Sequence, residues 1–213
     1  KKAVTFLLPI NGGESMAVVA AILLGLTLPI TPLQILWVNM VSAIGLALAL
    51  AFEPTEPNTM RRPPRPASEP IITRFVLWRI VFVSTLFLAG IFGMFQWALS
   101  TGASVETART VAVNTLVVME VFYLFNVRYL HGASLTWRGV LGTPAVLWAV
   151  GTVATLQLLF TYAPFMERFF DTRPVAFGQG VVIVLAGMAV FAALEAEKAL
   201  HARWVSARAG SSG

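Results

Sequence analysis

From Ala3 to Leu28 almost every side chain is apolar, and the pattern returns five times. The windows run roughly 4–28, 31–52, 72–98, 108–128, 140–163 and 175–197. Each reaches the length of about 20 residues that a helix needs to cross a bilayer. The runs are continuous rather than alternating, so they predict helices and not the strands of a membrane barrel, whose residues switch faces with period two. The expected fold is all-α, a polytopic membrane bundle of six transmembrane helices. The third window is long enough to tilt or to extend past the bilayer.

The polar connections divide the chain. Residues 1–52 carry the first two helices, 53–71 a Pro-rich cytoplasmic loop, 72–200 four further helices, and 201–213 a cytoplasmic tail whose closing GSSG reads as a flexible end or a cloning remnant. The stretch EPTEPNTMRRPPRPASEP, residues 53–70, is too dense in proline to be helical throughout. With Lys1 and Lys2 on the cytoplasmic side, that side holds twelve of the Lys and Arg residues, and the other holds only Arg109, Arg168 and Arg173. The positive-inside rule then puts both termini in the cytoplasm, and a multi-pass protein of the plasma (bacterial inner) membrane is expected. The loops near 29–30, 99–107 and 164–174 fall outside. Arg61, Arg62 and Arg65 read equally as solvated positive-inside charge and as a docking surface for another cytoplasmic domain. No repeat of 20–50 residues is visible, nor a matched pair of broken spans.

Composition agrees with the pattern: 57% of the 213 residues are hydrophobic, 12% are charged, and the mean hydropathy is +0.78. That balance belongs to an integral membrane protein whose surroundings are lipid. The net charge of +5 does not point to nucleic acid, because the basic residues follow the loops instead of forming a patch with interleaved aromatics. With no cysteine, thiolate metal sites, disulfides and cysteine catalysis are excluded. His131 and His201 fall in a loop and the tail, which argues against a histidine metal site. Lacking an initiating methionine or a signal peptide, the chain is expected to begin inside a longer protein.

The chemistry lies in the polar groups at membrane depth. A charged side chain there costs about 2.5–3.5 kcal/mol even on the lenient insertion scale, and Glu14 and Glu120 are the two acids deep in predicted spans. Without a basic partner at the same depth, each must hold a proton or meet a cation. In PINGGES, residues 9–15, Asn11 and Glu14 are three apart and share a helix face. Pro9, Gly12 and Gly13 are expected to soften this span, so that it can bend or unwind and present carbonyl oxygens to an ion. In WVNMVSAIG, Asn39 and Ser42 have the same spacing and are expected on one face. Together Asn11, Glu14, Asn39, Ser42 and Glu120 offer hard oxygen ligands, which suit calcium, magnesium, manganese or alkali cations. Asn114, Gln34, Gln96 and Gln157 read more simply as bonds between helices.

The order of PINGGE, LPITPLQILWVNMVS, LALAFEPTEPNTMRRPPR and ARTVAVNTLVVMEVFYLFNVR resembles the C-terminal membrane half of type II cation-transporting P-type ATPases, the class that includes calcium pumps. The likeness covers about residues 1–200 and implies that the six spans are the last six of ten. It implies ion-ligand roles for Asn11, Glu14, Asn39, Ser42 and Glu120. One position departs: the family's NLVTDG has as its fifth residue an aspartate that bridges two calcium sites, and Ala43 stands there in NMVSAI. Calcium is the first expectation for the transported cation, with one retained site or a changed ion as the consequence of Ala43.

The resemblance further implies that ATP and magnesium act through upstream domains. The phosphorylated aspartate of a DKTG motif is absent from these residues, as is a Walker-type loop. The chain alone is expected neither to hydrolyse ATP nor to pump. Its implied partners are the bilayer, upstream transmembrane helices and the cytoplasmic ATPase domains of the same protein. Emptied of metal, the two acids should take up protons, so proton countertransport follows. A six-helix secondary cation transporter or channel, or a non-catalytic orphan membrane module, are the readings that stand beside the pump.

Overall fold

A computed structural model describes residues 2–52, 74–128 and 143–210. The Pro-rich loop, with Arg61, Arg62 and Arg65, lies outside them, as do His131 and Arg138. The described helices are α1 (Lys2–Leu23), α2 (Pro32–Val38), a π-helical segment (Asn39–Ala43), α3 (Ile44–Ala51), α4 (Arg74–Ser100), α5 (Val105–Arg128), α6 (Pro144–Tyr162), α7 (Pro164–Phe170) and α8 (Phe177–Gly210). Among the described residues six spans are long and apolar enough to cross a membrane: Ala3–Leu23, Pro32–Ala51, Val76–Ser100, Val105–Arg128, Pro144–Tyr162 and Phe177–Leu200. The six expected helices are present, with the second built from α2, the π segment and α3.

The ends of the helices follow from local chemistry. α1 stops at Leu23, before the apolar run ends at Leu28, because Gly25 takes a left-handed φ of 62°. There the N–H of Leu26 donates to Ala21 O (2.8 Å) and that of Gly25 to Ile22 O (3.2 Å), the paired bonds of a Schellman stop. Gly102, with φ 85°, closes α4 in the same way. α2 begins with a capping box: Gln34 N donates to Thr31 Oγ1 (3.3 Å), and Thr31 N to Gln34 Oε1 (3.0 Å), with Pro32 in the first turn. α7 lies in the connection at 164–174 and was not foreseen. α8 runs on to Gly210, well past residue 197, so the expected tail begins as helix.

α5 is the axis of the bundle. Within its best membrane window 72% of residues are buried, against 22–44% for the other five spans. α4 and α8 pack along it, α1 lies on α4 and touches α5, and α3 meets α6. In hydrocarbon, apolar burial gives no drive for helices to associate, so close packing and polar bonds must hold them together. Asn114 Nδ2 donates to Thr161 Oγ1 (3.0 Å), Gln157 Nε2 to Asn114 Oδ1 (3.3 Å) and Trp37 Nε1 to Gln157 Oε1 (3.3 Å), which links α5, α6 and α2. Gln34 Nε2 also donates to Phe170 O at 2.9 Å, fastening α2 to α7. The reading of Asn114, Gln34 and Gln157 as interhelical bonds matches this geometry, while Gln96 is exposed on the bundle surface.

Candidate cation site

Pro9, Gly12 and Gly13 do not interrupt α1, which is helical from Lys2 to Leu23. The helix is not unwound there, and the two glycines have a packing use. A Cβ on Gly13 would sit 2.6 Å from Phe87 Cβ and 3.3 Å from the Ser84 carbonyl, and one on Gly12 would collide with Ser84 Oγ. The glycines let α1 lie directly on α4. Asn11 and Glu14 share a face as their spacing requires, and both line an open cleft of about 550 Å³ with Ser15, Val18, Ile35 and Asn39.

The irregular helix is in the second span. At Asn39–Ala43 the hydrogen bonding widens to i→i+5, with Ile44 N–H donating to Asn39 O. Two side chains take part in the ladder on either side. Asn39 Nδ2 donates to Ile35 O (3.1 Å), and Ser42 Oγ to Val38 O (2.8 Å). Polar side chains that bond back to the carbonyl four residues earlier disturb regular helix. The π turn widens the angular spacing of Asn39 and Ser42 relative to a regular helix, and each meets a different acid. Asn39 Nδ2 reaches α1 and donates to Glu14 Oε2 at 2.7 Å, whereas Ser42 is buried and neighbours Glu120 of α5. Both amide protons of Asn39 are thereby committed, leaving Oδ1 as an acceptor.

Glu14 is 4% exposed and Glu120 fully buried, and Glu14 is within electrostatic reach of Glu120. Among the described residues, Glu14 Oε1 and both carboxylate oxygens of Glu120 have no hydrogen-bond partner. Buried polar atoms are otherwise almost always paired, so these three oxygens mark a place where a proton or cation belongs. Among the described residues no three His, Cys, Asp or Glu side chains cluster as a metal centre. Oxygen-bearing side chains stand near the two acids: the amides of Asn11 and Asn39 line the cleft with Glu14, and the Ser42 hydroxyl lies beside Glu120. Oxygen donors of this kind are hard ligands.

Sequence reasoning missed a second polar cluster. Arg79 of α4, 1% exposed, bonds Asn126 of α5 and pairs with Glu197 of α8 at 3.4 Å. Asn126 Nδ2 donates to Glu195 Oε1 (2.7 Å), and Lys198 Nζ bonds both Asn126 O (2.6 Å) and Glu195 Oε1 (3.1 Å). Arg79 and Lys198 had entered only as topology charges. The signal available was the acid pair Glu195 and Glu197, placed to meet them at the end of the last span.

Six helices of membrane-spanning length among the described residues, with a pair of buried carboxylates between them, define a multi-pass membrane protein. The chain belongs to the family described as "Cation transporting ATPase, C-terminus", whose model matches residues 27–200. It is 43% identical over 190 residues to the "Probable cation-transporting ATPase F" of Mycobacterium tuberculosis (strain ATCC 25618 / H37Rv), covering 89% of this chain and 21% of that protein. The "Cation-transporting ATPase pma1" of a Synechocystis strain is 38% identical over 190 residues, covering 87% of this chain and 21% of the relative. The "Calcium-transporting ATPase" of Bacillus subtilis is 30% identical over 187 residues, 86% of this chain and 21% of the relative. The chain thus spans about a fifth of the length of these relatives.

Proposed function

We propose that this chain forms the cation-binding and translocation path of an ATP-driven cation pump, with Asn11, Glu14, Asn39, Ser42 and Glu120 as the ion ligands. The observation that carries the reading is the set of three unpartnered carboxylate oxygens on Glu14 and Glu120, buried on neighbouring helices. Family membership and the names of the relatives support the same direction, and calcium is the cation we propose first. The open cleft beside Asn11, Glu14 and Asn39 is the side on which a preceding span of the full-length protein would complete the site.

ATP hydrolysis belongs to upstream domains, and this chain does the ion's part of the work. In the inward-open state a cation exchanges for protons on Glu14 and Glu120. Phosphorylation upstream shifts the bundle, the cation leaves outside, and the carboxylates return with protons, since hydrocarbon does not tolerate them charged and alone. The π segment interrupts the regular ladder of the second span, which suits a helix that must repack during that shift.

The reading is tested by ATPase activity of the full-length protein over a panel of calcium, magnesium, manganese, sodium and potassium. Calcium is expected to stimulate at the lowest concentration, and activity indifferent to every ion would defeat the proposal. Ala43, buried within the π segment, gives a sharper probe. Ala43→Asp adds a carboxylate where the family's bridging acid falls, so the half-activating calcium concentration is expected to drop by about tenfold. An unchanged value would take Ala43 off the ion path.

Topology has its own check. In a cysteine-free background of the full-length protein, Thr101→Cys is expected to react with an impermeant maleimide applied from outside the cell. Ser206→Cys, in the proposed cytoplasmic tail, should react only after the membrane is opened. The reverse pattern would invert the proposed orientation.

A further inference from the structure

Proline at position 9 has no N–H to give the carbonyl of Thr5 four residues earlier, so that oxygen loses its donor within α1. Inside hydrocarbon such an acceptor has no water to replace it. The donor comes from α5 instead: Tyr123 Oη donates to Thr5 O at 2.6 Å, and both residues are buried. The Tyr123 ring is locked by stacking on Phe6 (centroids 5.6 Å, 17°) and by the edge of Phe87 at 5.9 Å. From α4, Ser84 Oγ donates to Pro9 O at 2.9 Å, and Arg79 lies beside Tyr123. α1 is therefore gripped at its proline from two helices.

The Tyr123–Thr5 bond joins the same two helices that carry the acids. Tyr123 follows Glu120 by three residues, one turn along the same side of α5, and Pro9 precedes Glu14 by five on α1. A bond from Tyr123 to Thr5 fixes the register of α1 against α5, and with it the separation of the two carboxylates. We propose that Tyr123 is a positioning residue of the cation site, its hydroxyl standing in for the backbone hydrogen bond that Pro9 withholds. The inference rests on the pump reading above. The two residues are conditional on each other: Pro9 without the hydroxyl leaves an orphan acceptor, and with an N–H at position 9 the hydroxyl becomes redundant.

That conditionality makes the test. In the full-length protein, Tyr123→Phe keeps the ring and removes the donor, Pro9→Ala restores the N–H, and the double variant combines them. The readouts are the cation concentration for half-maximal ATPase activation, the maximal rate and the melting temperature. Tyr123→Phe is expected to raise the half-activating concentration by about tenfold, with a smaller change in maximal rate. In the Pro9→Ala background the same substitution should change it by less than about twofold.

An equal loss in both backgrounds overturns the proposal, as does a lower melting temperature with unchanged activation. Glu14→Gln measured alongside separates the two claims. If that variant activates normally, the cation-site reading has failed, and the positioning role falls with it. If it loses activation while Tyr123→Phe does not, only the positioning role has failed.

Discussion

Glutamine at position 14 or 120 is expected to weaken cation activation of the full-length protein by about two orders of magnitude, since ligand charge tunes the affinity of oxygen sites over several decades. The substitution isolates charge from shape. At position 14 the glutamine carbonyl can still accept the bond from Asn39 Nδ2, which the native Oε2 accepts at 2.7 Å. At position 120 the new amide can donate to the Ser42 hydroxyl beside it. What disappears is the negative charge on oxygens that have no partner among the described residues.

The same variants should not lower the melting temperature in the absence of the ion. Without the ion these carboxyls carry protons in the proposed cycle, and glutamine is close to a protonated glutamate in size and shape, so the exchange is expected to be near neutral. Added cation raises the melting temperature of the native protein by mass action, and the variants are expected to lose that rise. A cation-induced shift equal to the native one in both variants would remove Glu14 and Glu120 from the site.

How far the sequence reached is clearest in the first two spans. Hydropathy sees lipid-facing length, so it found both helices and the depth of Glu14. It cannot see what a glycine faces. Gly12 and Gly13 looked like points of weakness, yet their missing Cβ atoms are filled by Ser84 and Phe87 of α4, which no local pattern encodes. At Asn39 and Ser42 an ordinary i,i+3 spacing gave no sign of the π turn. There the outcome depends on the amide of Asn39 choosing Ile35 O and Glu14, a competition settled only when α1 is alongside. α7, at seven residues, is too short for any membrane-length window to detect. Arg79 was misread because a charge near a span end looks the same in sequence whether it meets water or Glu197.

Gly13→Ala is expected to destabilise the protein although alanine is the better helix former, and the magnitudes decide the sign. In a helix interior the exchange gains about 1 kcal/mol of propensity. Against this, the new methyl would lie 2.6 Å from Phe87 Cβ and 3.3 Å from the Ser84 carbonyl. Neither atom is the free end of a side chain, so α1 and α4 must separate, and overpacking of this kind costs typically about 1–3 kcal/mol. Because Glu14 is the next residue, the displacement is expected to weaken cation activation as well. Gly93 supplies the control on α4, since a Cβ there meets nothing within 4 Å. Gly93→Ala should therefore show the propensity gain alone and raise the melting temperature where Gly13→Ala lowers it. If both substitutions stabilise, α1 does not lie on α4 as closely as the structure has it, and the register that brings Glu14 toward Glu120 loses its support.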